Sequence, residues 1–316
     1  MFAGFAHVWT PVLAARRVRL RPVRAVVAGE PIVFFQNQTG KFGALIDRCP
    51  HRSVALSIGK VCLDGCLECP FHGWRFDVSG VNRLVPLNPG AKRELLNATA
   101  LPVRQIGELL WIYTAPGAEA PIEPIVPDGL SATDLSRSYT EREWSCHWTR
   151  AMENMLDSPH LPFVHRRTIG RTYRRQMTAT SRMDIHWEDT EWGGRARAIL
   201  DGNVSPATLE FYRPNVMALT IPIPGRHLRI HALVVPTEIG RSRLTVVGSR
   251  DFLTLRVFDP LFAWMNGLIA DEDKRIVEST GAAEIPPPGE EPSVATDRAT
   301  LQFRKYYYER LRNSNA

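Results

Sequence analysis

The sequence predicts an α+β protein of two domains, and three observations predict it. Residues 31 to 115 read as short strands broken by turns, a Pro-rich stretch follows, and a second series of strands is closed by two helices. The 316 residues are enough for two hydrophobic cores. We place an all-β domain at 1–118, a linker at 119–134 and an antiparallel sheet with helices at 135–316.

Each element has its own signal. "PIVFFQNQTGKFGALIDR" reads as a hairpin turning at Thr39-Gly40, and "LLWIYTAP" as an apolar strand ended by proline. "EAPIEPIVPDG" is Pro-rich and weakly patterned, which marks the linker. "RARAIL", "NVMALTIPIP", "HLRIHALVVP" and "SRLTVVGSRDF" suggest an antiparallel sheet with one covered face. Asp259-Pro260 is a good helix start. Leu261, Trp264, Met265, Leu268, Ile276 and Val277 then keep helical spacing and define an apolar face. "ATLQFRKYYYERLR" is an amphipathic, basic helix.

Composition excludes several classes. Hydrophobic residues make up 44% and charged residues 23%, which is globular. No apolar run is long enough for a membrane helix. The N-terminal stretch has no charged region before its apolar residues, so no signal peptide is read and a cytoplasmic location is expected. The net charge of +6 permits an acidic partner but does not call for nucleic acid. Five cysteines are too few for a disulfide scaffold, and four of them crowd between Cys49 and Cys69, which favours metal.

That crowded stretch is "CPHRSVALSIGKVCLDGCLECPFHGW". Cys49-Pro50-His51 is followed, after 17 residues, by Cys69-Pro70-Phe71-His72. Two such arms can meet around a pair of irons, thiolates on one and imidazoles on the other. Neutral imidazoles in place of anionic thiolates make the cluster easier to reduce, by roughly 0.25 V or about four decades in equilibrium. Cys62, Cys66 and Cys69, with Cys49, could instead bind zinc or an all-cysteine cluster. That alternative leaves His51 and His72 without a role, so Cys62 and Cys66 are read as small buried residues and Cys146 as a core thiol. The first arrangement closely resembles the Rieske motif, and Arg52, Leu56, Ser57 and Gly59 after the first arm and Gly73-Trp74 after the second match that family's wording.

A cluster of this kind moves one electron, and a second stretch, "ENMLDSPHLPFVH", offers a recipient. Asp157 and His160 are three apart, hence on one helical face. Pro159 and Pro162 make a continuous helix improbable, so His165 can swing in from an irregular turn. Two histidines with a distant carboxylate form the facial triad of non-haem iron(II) oxygenases. With both stretches on one chain, the protein resembles the oxygenase component of a Rieske non-haem iron oxygenase, nearest to the vanillate demethylase and saxitoxin-pathway hydroxylase type.

The resemblance implies a [2Fe-2S] cluster on Cys49, His51, Cys69 and His72, and a mononuclear Fe(II) on His160 and His165. It also implies roles for Asn154 and Asp157, the latter between two metal centres, and a helix-grip, START-like catalytic domain. The third iron ligand lies in "LIADEDKRIVES". A helical wheel puts Glu272 nearest the middle of the apolar face, whereas the family pattern picks Asp273, which we follow; Asp271 is read as a solvated acid.

The implied activity is O2-dependent monooxygenation, by hydroxylation or O-/N-demethylation, of a small organic substrate. Electrons would come from NAD(P)H through a separate reductase or ferredoxin, and the chain would form a homotrimer without nucleic-acid or membrane partners. The rival expectations are cis-dihydroxylation of an aromatic ring and a Rieske electron carrier with no catalysis.

Overall fold

A computed structural model describes residues 1–18, 21–117 and 119–312. The chain divides into two compact units between Pro124 and Ile125, inside the expected linker. Residue 118, the expected end of the first domain, and residues 313–316, the expected end of the second, lie outside the described residues.

The first unit is built from β1 (Trp9–Ala14), β2 (Val23–Val27), β3 (Glu30–Gln36), β4 (Phe42–Ile46), β5 (Lys60–Val61), β6 (Leu67–Glu68), β7 (Arg75–Phe76), β8 (Asn82–Leu84), β9 (Ala100–Leu101), β10 (Val103–Ile106) and β11 (Leu109–Tyr113). They form antiparallel sheets in the orders β1-β11-β10, β2-β3-β4-β9 and β5-β6-β7-β8. The hairpin expected at Thr39-Gly40 joins β3 to β4, pairing Phe34 with Ala44. Gly40 takes the left-handed φ of +84° that the turn needs, and Asn37 Oδ1 accepts the Thr39 and Lys41 N–H groups. Ile32 through Phe35 are buried on both faces of β3, which is why the run is continuous and not alternating. Val33, Phe35 and Leu45 pack with Leu67 and Phe76 into one core that also takes in Cys49, Cys69 and Trp74.

The second unit contains α1 (Asp128–Ser131), β12 (Ser136–Trp144), α2 (Trp148–Leu156), α3 (Leu161–Val164), α4 (Arg171–Gln176), β13 (Met183–Thr190), β14 (Gly193–Leu200), β15 (Asn203–Val204), β16 (Thr208–Tyr212), β17 (Val216–Thr220), β18 (Leu228–Pro236), β19 (Ser242–Arg250), α5 (Asp259–Val277) and α6 (Arg298–Tyr306). The sheet runs β12-β19-β18-β17-β16-β14-β13, antiparallel throughout, with β15 added beside β14. This is the expected α+β fold, with an all-β first unit. No helix among the described residues is long and apolar enough to cross a membrane.

Helix α5 lies against β12. The Thr140 hydroxyl donates to the Ala263 carbonyl at 2.7 Å, and Arg142 clasps both oxygens of Asp271. A Cβ at Gly267 would stand 2.6 Å from Arg142 Nη2, so a side chain there would push the guanidinium out of its place beside Asp271. This corrects two expectations. The inward residues of α5 are Asn266, Gly267, Ala270, Asp273 and Val277, whereas Leu261, Trp264, Leu268 and Ile276 are exposed. The close approach demands small or polar groups inside and leaves the bulky apolar ones outside. Asp271 is likewise not merely solvated. Its pairing with Arg142 holds the carboxyl below its ordinary range.

Candidate metal centres

The first cluster of donors sits on two loops folded alike. Cys49 N–H donates to the Val54 carbonyl and its own carbonyl accepts from Ser53; Cys69 does the same with Trp74 and Gly73. The fourth residue after the Cys is left-handed in both loops, Ser53 at φ +56° and Gly73 at +70°. The repeated turn brings each Cys inward and each His outward. Cys49 and Cys69 are buried, His51 and His72 exposed, and the two Nδ1 atoms approach to 3.2 Å. Trp74 stacks flat on His51 with centroids 4.6 Å apart. Asp47 closes the first loop by accepting both the N–H and the hydroxyl of Ser57 at 2.7 Å.

Burial, with the neighbouring Cys69 thiol, pushes the Cys49 thiol up to about 11, so a metal would have to displace its proton on binding. Slight desolvation and the nearby His72 and Arg52 charges hold the His51 imidazole below its ordinary value, which keeps it a neutral donor. Two buried thiols and two imidazoles with converging Nδ1 atoms are a donor set that fits a two-iron cluster. Cys66 is buried and Cys62 half-buried, its thiol 3.3 Å from Glu68 Oε2. Neither joins the other two cysteines in a repeated turn.

The second cluster lies where the α2–α3 segment meets α5. Helix α2 ends at Leu156 and α3 starts only at Leu161, so Asp157 and His160 do not share a helical face as expected. They meet across an irregular turn at Ser158-Pro159, with Asp157 Oδ2 3.4 Å from His160 Nδ1. His165 is the residue just past α3 and is almost wholly buried. Ligating atoms of His160, His165 and Asp273 all lie within 4.8 Å of one another. Asp273 Oδ1 stands 3.5 Å from His160 Nε2 and 3.0 Å from His165 Nε2, yet it is buried with no well-directed hydrogen bond. A buried carboxylate oxygen facing two imidazole nitrogens without a proton well placed between them fits a bound divalent cation.

The three successive acids of α5 point to three different tasks, set by the 100° step of the helix. Asp271 pairs with Arg142, Asp273 faces inward, and Glu272 accepts hydrogen bonds at 2.8 Å from His165 Nδ1 and the Thr168 hydroxyl. Glu272 thus holds the outer nitrogen of His165 by a hydrogen bond, whereas Asp157 stands beside that of His160 at 3.4 Å without one. Burial alone would lower the His165 pKa; Asp273 and then Glu272 outweigh it and raise the ring's affinity for positive charge. The role of Glu272 carries no local sequence signal, because its partner is 107 residues away.

Asn154, on the last turn of α2, has a buried amide nitrogen without a partner and lines a cavity of about 990 Å³ that also takes in Asp157, His160, His165 and Asp273. Helix α2 is tied to α6 through Glu153, which contacts Arg304, while Arg304 and Arg150 both grip Glu291. Burial pushes the Glu153 carboxyl up, whereas Arg150 and Arg304 hold the more exposed Glu291 down at about 2.

Residues 8–101 match the family described as the Rieske [2Fe-2S] domain, and residues 144–313 match the vanillate O-demethylase oxygenase C-terminal domain. The phthalate 4,5-dioxygenase oxygenase subunit of Pseudomonas putida is 29% identical over 239 residues, 70% of this chain and 54% of that subunit. Methylxanthine N3-demethylase NdmB of Pseudomonas putida is 26% identical across 96% of this chain and 88% of its own length. The chain thus spans about half the length, or less, of several curated relatives it matches. Among solved structures, Pseudomonas putida CBB5 NdmA shares the fold at a TM-score of 0.78 and 22% identity, over 96% of this chain and 89% of that one. Dicamba monooxygenase bound to dicamba does so at 0.78 and 19%, over 96% of each chain. With each donor cluster inside the segment that matches its family, the protein belongs to the Rieske oxygenases, whose oxygenase components carry a Rieske cluster and a mononuclear iron.

Proposed function

We propose that this chain is the terminal oxygenase of an electron-transfer system, performing hydroxylation or O-/N-demethylation of a small organic substrate with O2. The convergence of His160, His165 and Asp273 on the edge of a large cavity carries this reading. It needs a substrate chamber beside the metal, which a plain electron carrier does not. When bound, the cluster would supply electrons singly and the mononuclear iron would activate O2.

The residues then divide the work. Cys49, Cys69, His51 and His72 would hold the cluster, and His160, His165 and Asp273 the mononuclear iron. Asp157 would orient His160 through its outer nitrogen and, in the trimer, give electrons a route from the cluster of a neighbouring subunit, and Asn154 would present its free amide hydrogens to the cavity. Electrons would come from NAD(P)H through a separate reductase or ferredoxin. A homotrimer is what the resemblance implies, and the exposed apolar stripe of Leu261, Trp264 and Leu268 on α5 would suit a contact with another subunit. We place the chain in the cytoplasm, in keeping with its five free cysteines.

Iron analysis and product mass test the reading together. A third iron beyond the cluster pair, with one added oxygen or one lost methyl in the product, is expected. Two added oxygens would select ring dihydroxylation instead, and iron at the cluster alone with no product would overturn the reading.

A further inference from the structure

The chamber beside the histidines has a composition that selects among substrates. Its floor is one face of the sheet, where alternate residues of each strand point the same way: Ala196 and Ala198 from β14, Ile230 and Ala232 from β18, Leu244 and Val246 from β19. Its opposite wall is the inner side of α5, where Phe262 and Ile269 add hydrocarbon. The charged groups lining it near the metal site and the mouth are carboxylates, Asp157, Asp273 and Asp201. Arg171, Arg174 and Arg175 lie on α4 beside the cavity-lining Thr172, Tyr173 and Gln176, but their side chains are exposed and no arginine or lysine lines the chamber among the described residues.

One polar side chain interrupts the hydrocarbon on α5. Asn266 is buried, lines the cavity and lies two helical turns before Asp273 on the same face. Its amide nitrogen makes a long contact, 3.4 Å, to the Ser138 hydroxyl. An amide carries two hydrogens and an accepting oxygen, so this contact leaves capacity for a ligand.

We propose that the chamber takes an uncharged, largely hydrocarbon substrate of drug-like size, oriented by a hydrogen bond to Asn266. The inference rests on the oxygenase reading and narrows it. A cavity of about 990 Å³ is at the upper end of the range that encloses such ligands. An anionic substrate would lose its hydration against an apolar wall and find no arginine or lysine in the lining to replace it, while the charge of a bound iron would already be met by Asp273 and Asp157. A neutral one loses little and gains contact with the sheet.

Matched probes decide it. Methoxybenzamide is compared with methoxybenzoate, and methoxynaphthamide with methoxynaphthoate, by calorimetric titration of the iron-loaded protein at neutral pH without reductase. The amide of at least one pair should bind on the order of 100-fold tighter than its carboxylate. Asn266→Leu should weaken that amide about tenfold, towards the affinity of plain methoxynaphthalene. A carboxylate that binds as tightly as its amide, or failure of every neutral probe to bind, would overturn the proposal, and this comparison does not depend on the variant folding. Product analysis with a surrogate reductase separates the two readings. Selective amide binding without product would leave the substrate class standing and sink the oxygenase, whereas turnover of the carboxylates in preference would do the reverse.

Discussion

Glu272 accepts a hydrogen bond from His165 Nδ1 at 2.8 Å, while the next residue, Asp273, faces the same ring's Nε2 at 3.0 Å. One imidazole is thus held between adjacent acids of a single helix. The Nδ1–H fixes the tautomer and leaves the Nε2 lone pair for a metal. Asp273→Ala should therefore abolish mononuclear iron and leave the visible spectrum of the cluster intact. Glu272→Gln should weaken iron affinity roughly 10–100-fold without abolishing it. Metal titration of both variants checks the order, and a larger loss at Glu272 would exchange their roles.

At the other centre, Cys49→Ser or His72→Ala should remove the visible and EPR signature of the cluster. The second unit should remain folded, as near-ultraviolet circular dichroism of its tryptophans would report. A Cys62→Ser variant should keep the signature. Its loss there, with retention after His51 and His72 are both replaced, would restore the all-cysteine alternative.

Asp157 stands 3.4 Å from His160 Nδ1. Asp157→Asn keeps the shape and loses the charge, so both metals should stay bound and the reductase should still reduce the cluster. Transfer onward to the mononuclear iron should nearly stop. Single-turnover stopped-flow of the pre-reduced variant with substrate and O2 measures this; cluster reoxidation at the wild-type rate would end the idea.

Glu291 gives a pH prediction. Arg150 first, then Arg304, hold its carboxyl at about 2 against the opposing effect of burial. A folded-state pKa below the ordinary value stabilises above about pH 4.5 and is lost as pH falls towards 2. Glu291 is partly exposed, so screening limits the effect to about 1 kcal/mol or less. Glu291→Gln should lower the urea midpoint slightly near neutral pH, and the gap from wild type should close on acidification through that window.

Much of this was legible in the chain because it is local. The Cys-x-His and Cys-x2-His arms, the Thr39-Gly40 turn and the Asp157, His160, His165 series each sit within a short stretch. What escaped was set by distant partners. Leu261, Trp264 and Leu268 have the spacing of a core-facing stripe, but periodicity cannot say which side of α5 meets the sheet. Gly267 and the Arg142–Asp271 pair decide that, and Arg142 is 129 residues away. The wheel that favoured Glu272 was centred on this exposed stripe and not on the face that meets the sheet.

The contact between Glu153 and Arg304 spans 151 residues, and that separation has a meaning for biosynthesis. Glu153 leaves the ribosome long before Arg304, so for that interval only Arg150, three residues earlier on the same helix, can pair with it. The second of its two arginines, which completes the burial of the acid, comes only with α6. The last support beneath the helix that leads into Asp157 and His160 is thus synthesised after every strand of the sheet. A message broken between the codons for Arg250 and Arg304 would yield every strand of the sheet and both histidines, but no strut beneath them.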